Sequence, residues 1–141
     1  TPTEVFHHPK SEFVARFIGI RNVFSGRLGA CDATNPGVAP FVCGSVRFGI
    51  LTDARPGPGL LILRSEGVTI SRTRPESSAQ NCFSGRVIDI VPARLGLDVC
   101  VDIGVEISAL ITPASAEKLE LYAGRDVWVS FKASAARFVE E

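Results

Sequence analysis

One eight-residue stretch occurs twice in this chain of 141 residues. Arg21-Asn22-Val23-Phe24-Ser25-Gly26-Arg27-Leu28 returns as Gln80-Asn81-Cys82-Phe83-Ser84-Gly85-Arg86-Val87. The offset from Asn22 to Asn81 is 81 − 22 = 59 positions. Asn, Phe, Ser, Gly and Arg match in register, and Leu28 gives way to the similar Val87. A match of this kind at one fixed offset marks the first strand of two related small β units. A chain of this length suits one domain, or two very small units sharing a core.

The rest of the chain fits that division. In the first unit, about 20–72, Asn22–Leu28 is followed by a loop with an Asn35-Pro36-Gly37 turn signal. Phe41–Thr52 reads as one or two strands, bent at Gly44 or Gly49. Arg55–Gly59 reads as a loop, and Leu60–Leu63 and Val68–Ser71 as short strands. In the second unit Asn81–Val91 is a strand, and Leu97–Ile103 and Val105–Thr112 form a hairpin across Gly104. Thr112-Pro113 opens a short helix reaching about Leu121, an N-cap followed by Pro at the first helical position. Val127–Lys132 and Ala136–Val139 are the last strands. Five short strands per unit predict a mainly β chain of two tandem OB-like barrels, a fold that deals with exposed strand edges by closure. Two such barrels side by side, exchanging terminal strands, fit the length. Before them, Phe13, Val14, Phe17 and Ile18 make one face of a short N-terminal helix, with Ser11 as its N-cap and Gly19 as its stop.

Composition narrows the function. Formal net charge is zero, which argues against bulk nucleic-acid binding. No apolar run approaches a membrane span, so direct membrane insertion is not expected. The four cysteines have no Cys-x-x-Cys spacing and read as reduced, mostly buried thiols rather than as a metal site. The sequence holds no Walker A loop, no Gly-x-Ser-x-Gly elbow and no His-Glu-x-x-His. His7 and His8 read as an exposed turn rather than a ligand pair. Asp89, Asp98, Asp102 and Glu106 read as solvent-facing strand positions rather than an acid–base pair. Trp128 and Tyr122 are too few for a base-stacking platform. No catalytic residues are expected, and the segment is not read as an enzyme.

One cluster remains. Ser78-Ala79-Gln80-Asn81 opens the first strand of the second unit, and Lys132-Ala133-Ser134 closes a late one. Brought together, they offer hydroxyls, amides and an ammonium without an adjacent acid, beside alanines small enough to let backbone N–H groups approach. Such a set suits a small tetrahedral dianion, whose hydration must be replaced by several charge-assisted hydrogen bonds. Plain solvation of strand-end Ser and Lys is the more common reading, and it stands beside this one.

Ser78-Ala79-Gln80-Asn81, Gly85-Arg86-Val87, Ile107–Thr112 and Val129–Ser134, taken in order, resemble a molbindin (Mop) domain. The opening Glu4–Pro9 and Glu12–Gly19 resemble the end of the nucleotide-binding domain of import-type ABC transporter ATPases, just before their TOBE region. Together these imply a TOBE/Mop-like regulatory part of a molybdate or tungstate importer's ATP-binding subunit. The division implied is a tail of the upstream ATPase domain at 1–20, a first OB-like unit at 21–77 and an oxyanion-binding unit at 78–141. The resemblance implies an oxyanion at Ser78, Gln80, Asn81, Lys132, Ala133 and Ser134, and no cofactor or protein-bound metal. It also implies a homodimer, partnership with the ATPase domain and a membrane permease, a cytoplasmic place at the inner face of the membrane, and feedback inhibition of transport. Gln80 departs from the Arg usual in the family, which removes one charge and a forked donor.

By the same alignment Leu63-Arg64-Ser65-Glu66 occupies the place of Phe131-Lys132-Ala133-Ser134. Glu66 beside a dianion repels it, so the first unit is expected to be a degenerate copy. Three rivals stand beside this reading. One is a ligand-independent dimerisation module of an ABC importer ATPase. Another is the regulatory part of a sulfate or sugar importer, and the third is a molbindin-containing DNA-binding regulator. The last lacks a helix-turn-helix here.

Overall fold

The computed structural model describes residues 22–31, 37–76 and 81–140. The expected N-terminal helix lies outside them. The described residues are mainly β: ten strands in two five-stranded sheets. In the first repeat these are β1 (Asn22–Leu28), β2 (Val38–Cys43), β3 (Val46–Leu51), β4 (Gly57–Leu63) and β5 (Thr69–Ser71). In the second they are β6 (Asn81–Ala93), β7 (Gly96–Asp102), β8 (Glu106–Ile111), β9 (Asp126–Phe131) and β10 (Ala136–Glu140). Every strand pairing among the described residues is antiparallel.

Phe41–Thr52 resolves into two strands, β2 and β3, folded back at Gly44-Ser45. The expected loop at Arg55–Gly59 is shorter, because Gly57-Pro58-Gly59 already pairs with β1. Pro58 is tolerated there and Gly59 is required: a Cβ on it would meet the Phe138 ring of β10 at 2.6 Å. The helix α1 (Pro113–Lys118) ends before Leu121, with Thr112 Oγ1 accepting from Ser115 N–H at 3.0 Å as N-cap.

The sheets do not divide where the repeats do. Their strand orders are β10-β4-β1-β2-β3 and β5-β9-β6-β7-β8. Each repeat thus lends its last strand to the other's sheet, the exchange expected from length. A cut between residues 77 and 78 separates the repeats but leaves each sheet holding a strand from the other side.

Two reciprocal clasps hold the sheets together. Asn22 at the start of β1 donates from Nδ2 to the Ser108 carbonyl (2.8 Å) and accepts the Ser108 N–H (2.7 Å). Asn81 at the start of β6 does the same to Gly49, at 2.8 and 2.7 Å. Gly49 and Ser108 are themselves 108 − 49 = 59 positions apart, the offset of the two asparagines. β3 and β8 are edge strands, so each amide satisfies backbone groups that have no ladder partner. Both asparagines are buried.

The core is continuous across the repeats. Phe48 of β3 is fully buried, with its ring centroid 5.2 Å from Phe24, 5.5 Å from Phe83 and 5.4 Å from Phe131. Two of those rings come from the second repeat. A unit of about sixty residues buries only some 60% of its unfolded surface, and sharing a core remedies that shortfall. The repeated glycine has a steric cause. A Cβ on Gly85 would lie 2.6 Å from the Asp102 carbonyl oxygen, and one on Gly26 would lie 2.8 Å from the Phe41 ring. The repeated motif is thus an edge clasp, a core ring and a close crossing in one strand.

Candidate functional site

The β6–β9 register pairs Asn81 with Phe131. The second sheet therefore brings the start of β6 beside the point where the chain leaves β9 into Lys132-Ala133-Ser134. Lys132 leaves the strand in extended backbone (φ −75°, ψ 146°) and precedes a single 3-10 turn, Ala133–Ala135. Ala133 is buried at the base of the turn, while Lys132 and Ser134 are exposed. The turn packs on β3 of the first repeat, the strand whose Gly49 is held by Asn81. Asn81, Lys132, Ala133 and Ser134 thus gather at one end of the barrel. Ser78 and Gln80 lie outside the described residues.

Asn81 arrives there with both amide atoms already bonded to Gly49. Reading the sequence alone put Asn81 on an anion and missed Gly49 and Ser108 altogether. The signal that would have found them is the 59-residue offset, applied beyond the motif to the edge strands.

The first repeat carries the same scaffold with different chemistry. Asn22 pairs with Leu63, and Arg64 leaves the strand in the same extended conformation (φ −68°, ψ 139°) before a 3-10 turn at Ser65–Gly67. This turn packs on β8. Here the cation has an acid beside it: Arg64 Nη1 lies 3.6 Å from Glu66 Oε1. Lys132 forms no ion pair with any described residue. Ser65 stands where Ala133 stands, and its buried hydroxyl has no hydrogen-bond partner among the described residues.

Other candidates offer less. Asp89, Asp102 and Glu106 are exposed and Asp98 half-buried on β6–β8. Among the described residues no group of three His, Cys, Asp or Glu is arranged to hold a metal ion. The described cysteines form no disulfide with one another, and of the four only Cys43 is buried. Burial, then the Glu106 and Asp89 carboxylates, push the Cys100 thiol up from its ordinary value; a hydrogen bond with Ser108 opposes them. That environment suppresses the reactive thiolate. Trp128 is half-buried with the Arg74 guanidinium 5.5 Å over its ring, a packing role.

The fold is a tandem of two β units that exchange their last strands, and the sequence carries no ATPase motif. Residues 77–138 match the TOBE domain family. The chain is 33% identical over 137 residues to the molybdate/tungstate import ATP-binding protein WtpC of Pyrococcus horikoshii, covering 94% of this chain and 36% of that protein. It is 35% identical over 89 residues to the spermidine/putrescine import ATP-binding protein PotA of Chromobacterium violaceum, covering 62% of this chain and 25% of that protein. The chain thus spans well under half the length of these relatives. Among solved structures, the cytoplasmic molybdate-binding protein ModG with molybdate bound superposes with a TM-score of 0.74 at 19% identity. The match covers 86% of this chain and 97% of that one. At that identity the likeness establishes the fold.

Proposed function

We propose that the chain is the regulatory, oxyanion-sensing part of an ABC importer's ATP-binding subunit, with molybdate or tungstate as ligand. The carrying observation is the contrast between the turns: Lys132 is exposed with no acid paired to it among the described residues, while Arg64 is paired with Glu66. Lys132 and Ser134 supply an ammonium and a hydroxyl, buried Ala133 keeps the turn low, and Ser78 and Gln80 add a hydroxyl and an amide. The role of Asn81 is positional: its side chain fixes the β6 start against β3. Several charge-assisted hydrogen bonds replace the dianion's hydration.

The ion bridges two copies of the domain in a homodimer. Tighter binding to one arrangement of the attached ATPase subunits biases them toward a transport-inactive state, and no other coupling is required. The setting is the cytoplasmic face of the membrane, beside the permease. Calorimetry with sodium tungstate tests this. The expected result is a saturable heat, abolished by Lys132→Ala and weakened by Ser134→Ala. Each lost charge-assisted bond costs about 1.5–3 kcal/mol. No heat at millimolar tungstate overturns the reading.

A second reading has its own support. The Asn81 amide gives its oxygen and one of its two N–H groups to Gly49, Gln80 stands for Arg, and PotA is a relative named for a polyamine. On that reading the domain only dimerises ATPase subunits of an importer for another substrate, such as sulfate or sugar. A dimer indifferent to tungstate in sedimentation favours it.

A further inference from the structure

The connection between the repeats has to cross a strand. β5 and β6 flank β9 and are both antiparallel to it, so they run parallel to each other. Register sets Ser71 and Ser84 level with Trp128, while β6 begins at Asn81, level with Phe131. The chain leaving Ser71 therefore passes over β9 and returns about 10 Å along it, three residues of strand. The inner face of β9 is closed to that path, because Val127, Val129 and Phe131 are in the core. The connection takes the outer face, where Trp128, Ser130 and Lys132 alternate with those core residues. Ser130, between Thr69 and Cys82 on that face, is only 4% exposed, so the surface there is covered.

The start of the crossing is held at three points. The Ser71 hydroxyl donates to the Thr73 carbonyl at 2.9 Å and turns the chain out of β5. Arg72 Nη1 lies 3.7 Å from Glu120 Oε2, an exposed pair that contributes little. The Arg74 guanidinium lies 5.5 Å over the Trp128 ring, which puts it on β9 itself. Nine residues, 72–80, make the connection, and a contact at Arg74 leaves six, 75–80, before Asn81. In the first sheet the strand in the place of β5 is β10, which does not lead into β1. A crossing of this kind therefore serves the second repeat alone.

We propose that Arg74 and Trp128 are positioning residues for the oxyanion site. Trp128 lies four strand residues, about 13 Å, before Lys132, so the pair acts through the chain and not on the ion. Pinning Arg74 shortens the free stretch that arrives beside Lys132, and less chain entropy is lost when an ion orders that stretch. The role rests on the oxyanion reading above, which sets Ser78 and Gln80 of that stretch at the ion. By linkage, an ion that orders the stretch tightens the pin by the same factor.

Trp128 is the one tryptophan of the chain, so its emission reports on the pin. Acrylamide quenching and tungstate calorimetry on the 141-residue chain, as wild type, Arg74→Ala and Arg74→Lys, test the role. Arg74 is exposed, so neither substitution disturbs the core. Without tungstate, quenching should rise in Arg74→Ala and return most of the way in Arg74→Lys, which keeps a cation for the ring. Saturating tungstate should lower quenching in the wild type. Tungstate affinity should fall about two- to fivefold in Arg74→Ala, the range of one cation–π contact at an exposed site, and recover in Arg74→Lys. Unchanged quenching in Arg74→Ala overturns the pin. Raised quenching with unchanged affinity overturns the positioning role and leaves the oxyanion reading standing. A loss well beyond about tenfold makes Arg74 a ligand and overturns the role as well. Wild-type chain that binds no tungstate at millimolar concentration sinks the oxyanion reading and this role together, whatever the quenching shows.

Discussion

Arg64-Ser65-Glu66 and Lys132-Ala133-Ser134 occupy the same place in the two repeats and have different chemistry. Each follows a strand paired to its clasp asparagine, each forms one 3-10 turn, and each packs on an edge strand of the other repeat. Backbone and clasp are held in common, and the side chains that face solvent are not. In the first turn Glu66 neutralises the cation and would repel a dianion. In the second the cation has no acid paired to it among the described residues. Duplication has thus kept the parts that hold two small barrels together and let the exposed side chains of the two turns diverge.

That comparison can be broken at several strengths. The largest effect is expected from Phe48→Ala, a fully buried ring touching rings of both repeats. It should cost about 3–5 kcal/mol, read as a shift of one cooperative urea transition. Two separate transitions would show that the repeats are independent. Next come Asn22→Ala and Asn81→Ala, each leaving a backbone N–H and C=O on an edge strand unpaired. Each should cost about 2–3 kcal/mol by thermal or urea unfolding, and the two losses should be similar. A large inequality would show that the clasps are not equivalent.

Smaller effects sharpen the contrast at the turns. Glu66→Ala removes an ion pair whose side chains are 66% and 57% exposed, so stability should move by no more than about 0.5 kcal/mol. The Cys100 thiol supplies a pH test. Its folded value is raised, so the folded chain holds that proton more tightly than the unfolded one. The contribution is present below the unfolded thiol value and is lost as pH rises through the folded one. Stability should therefore fall on entering the alkaline thiol range, and less so in Cys100→Ser. Urea midpoints across that range check it.

Much of this was legible in the sequence. The Asn-Phe-Ser-Gly-Arg repeat announced two related β units, and most strands fall where alternation and turn residues put them. Thr112-Pro113 marked the helix start correctly, since an N-cap and Pro at the first turn act locally. Gly57–Gly59 was misread as loop, because what makes Gly and Pro acceptable there is non-local: the approach of β1 on one side and of Phe138 on the other. The function of the repeated Asn was hidden for the same reason. Its partners lie 32 and 86 residues away and are backbone atoms, which no side-chain pattern reports. The Lys-Ala-Ser turn was visible, and so was its altered twin. The pairing of Arg64 with Glu66 needed coordinates.

The account turns on the claim that the ligand belongs to the second repeat alone. Titration of tungstate into Lys132→Ala and Arg64→Ala, followed side by side by calorimetry, tests it most directly. The account predicts that Arg64→Ala binds as the wild type does and that Lys132→Ala gives no saturable heat. Retained binding in Lys132→Ala, or its loss in Arg64→Ala, would contradict it.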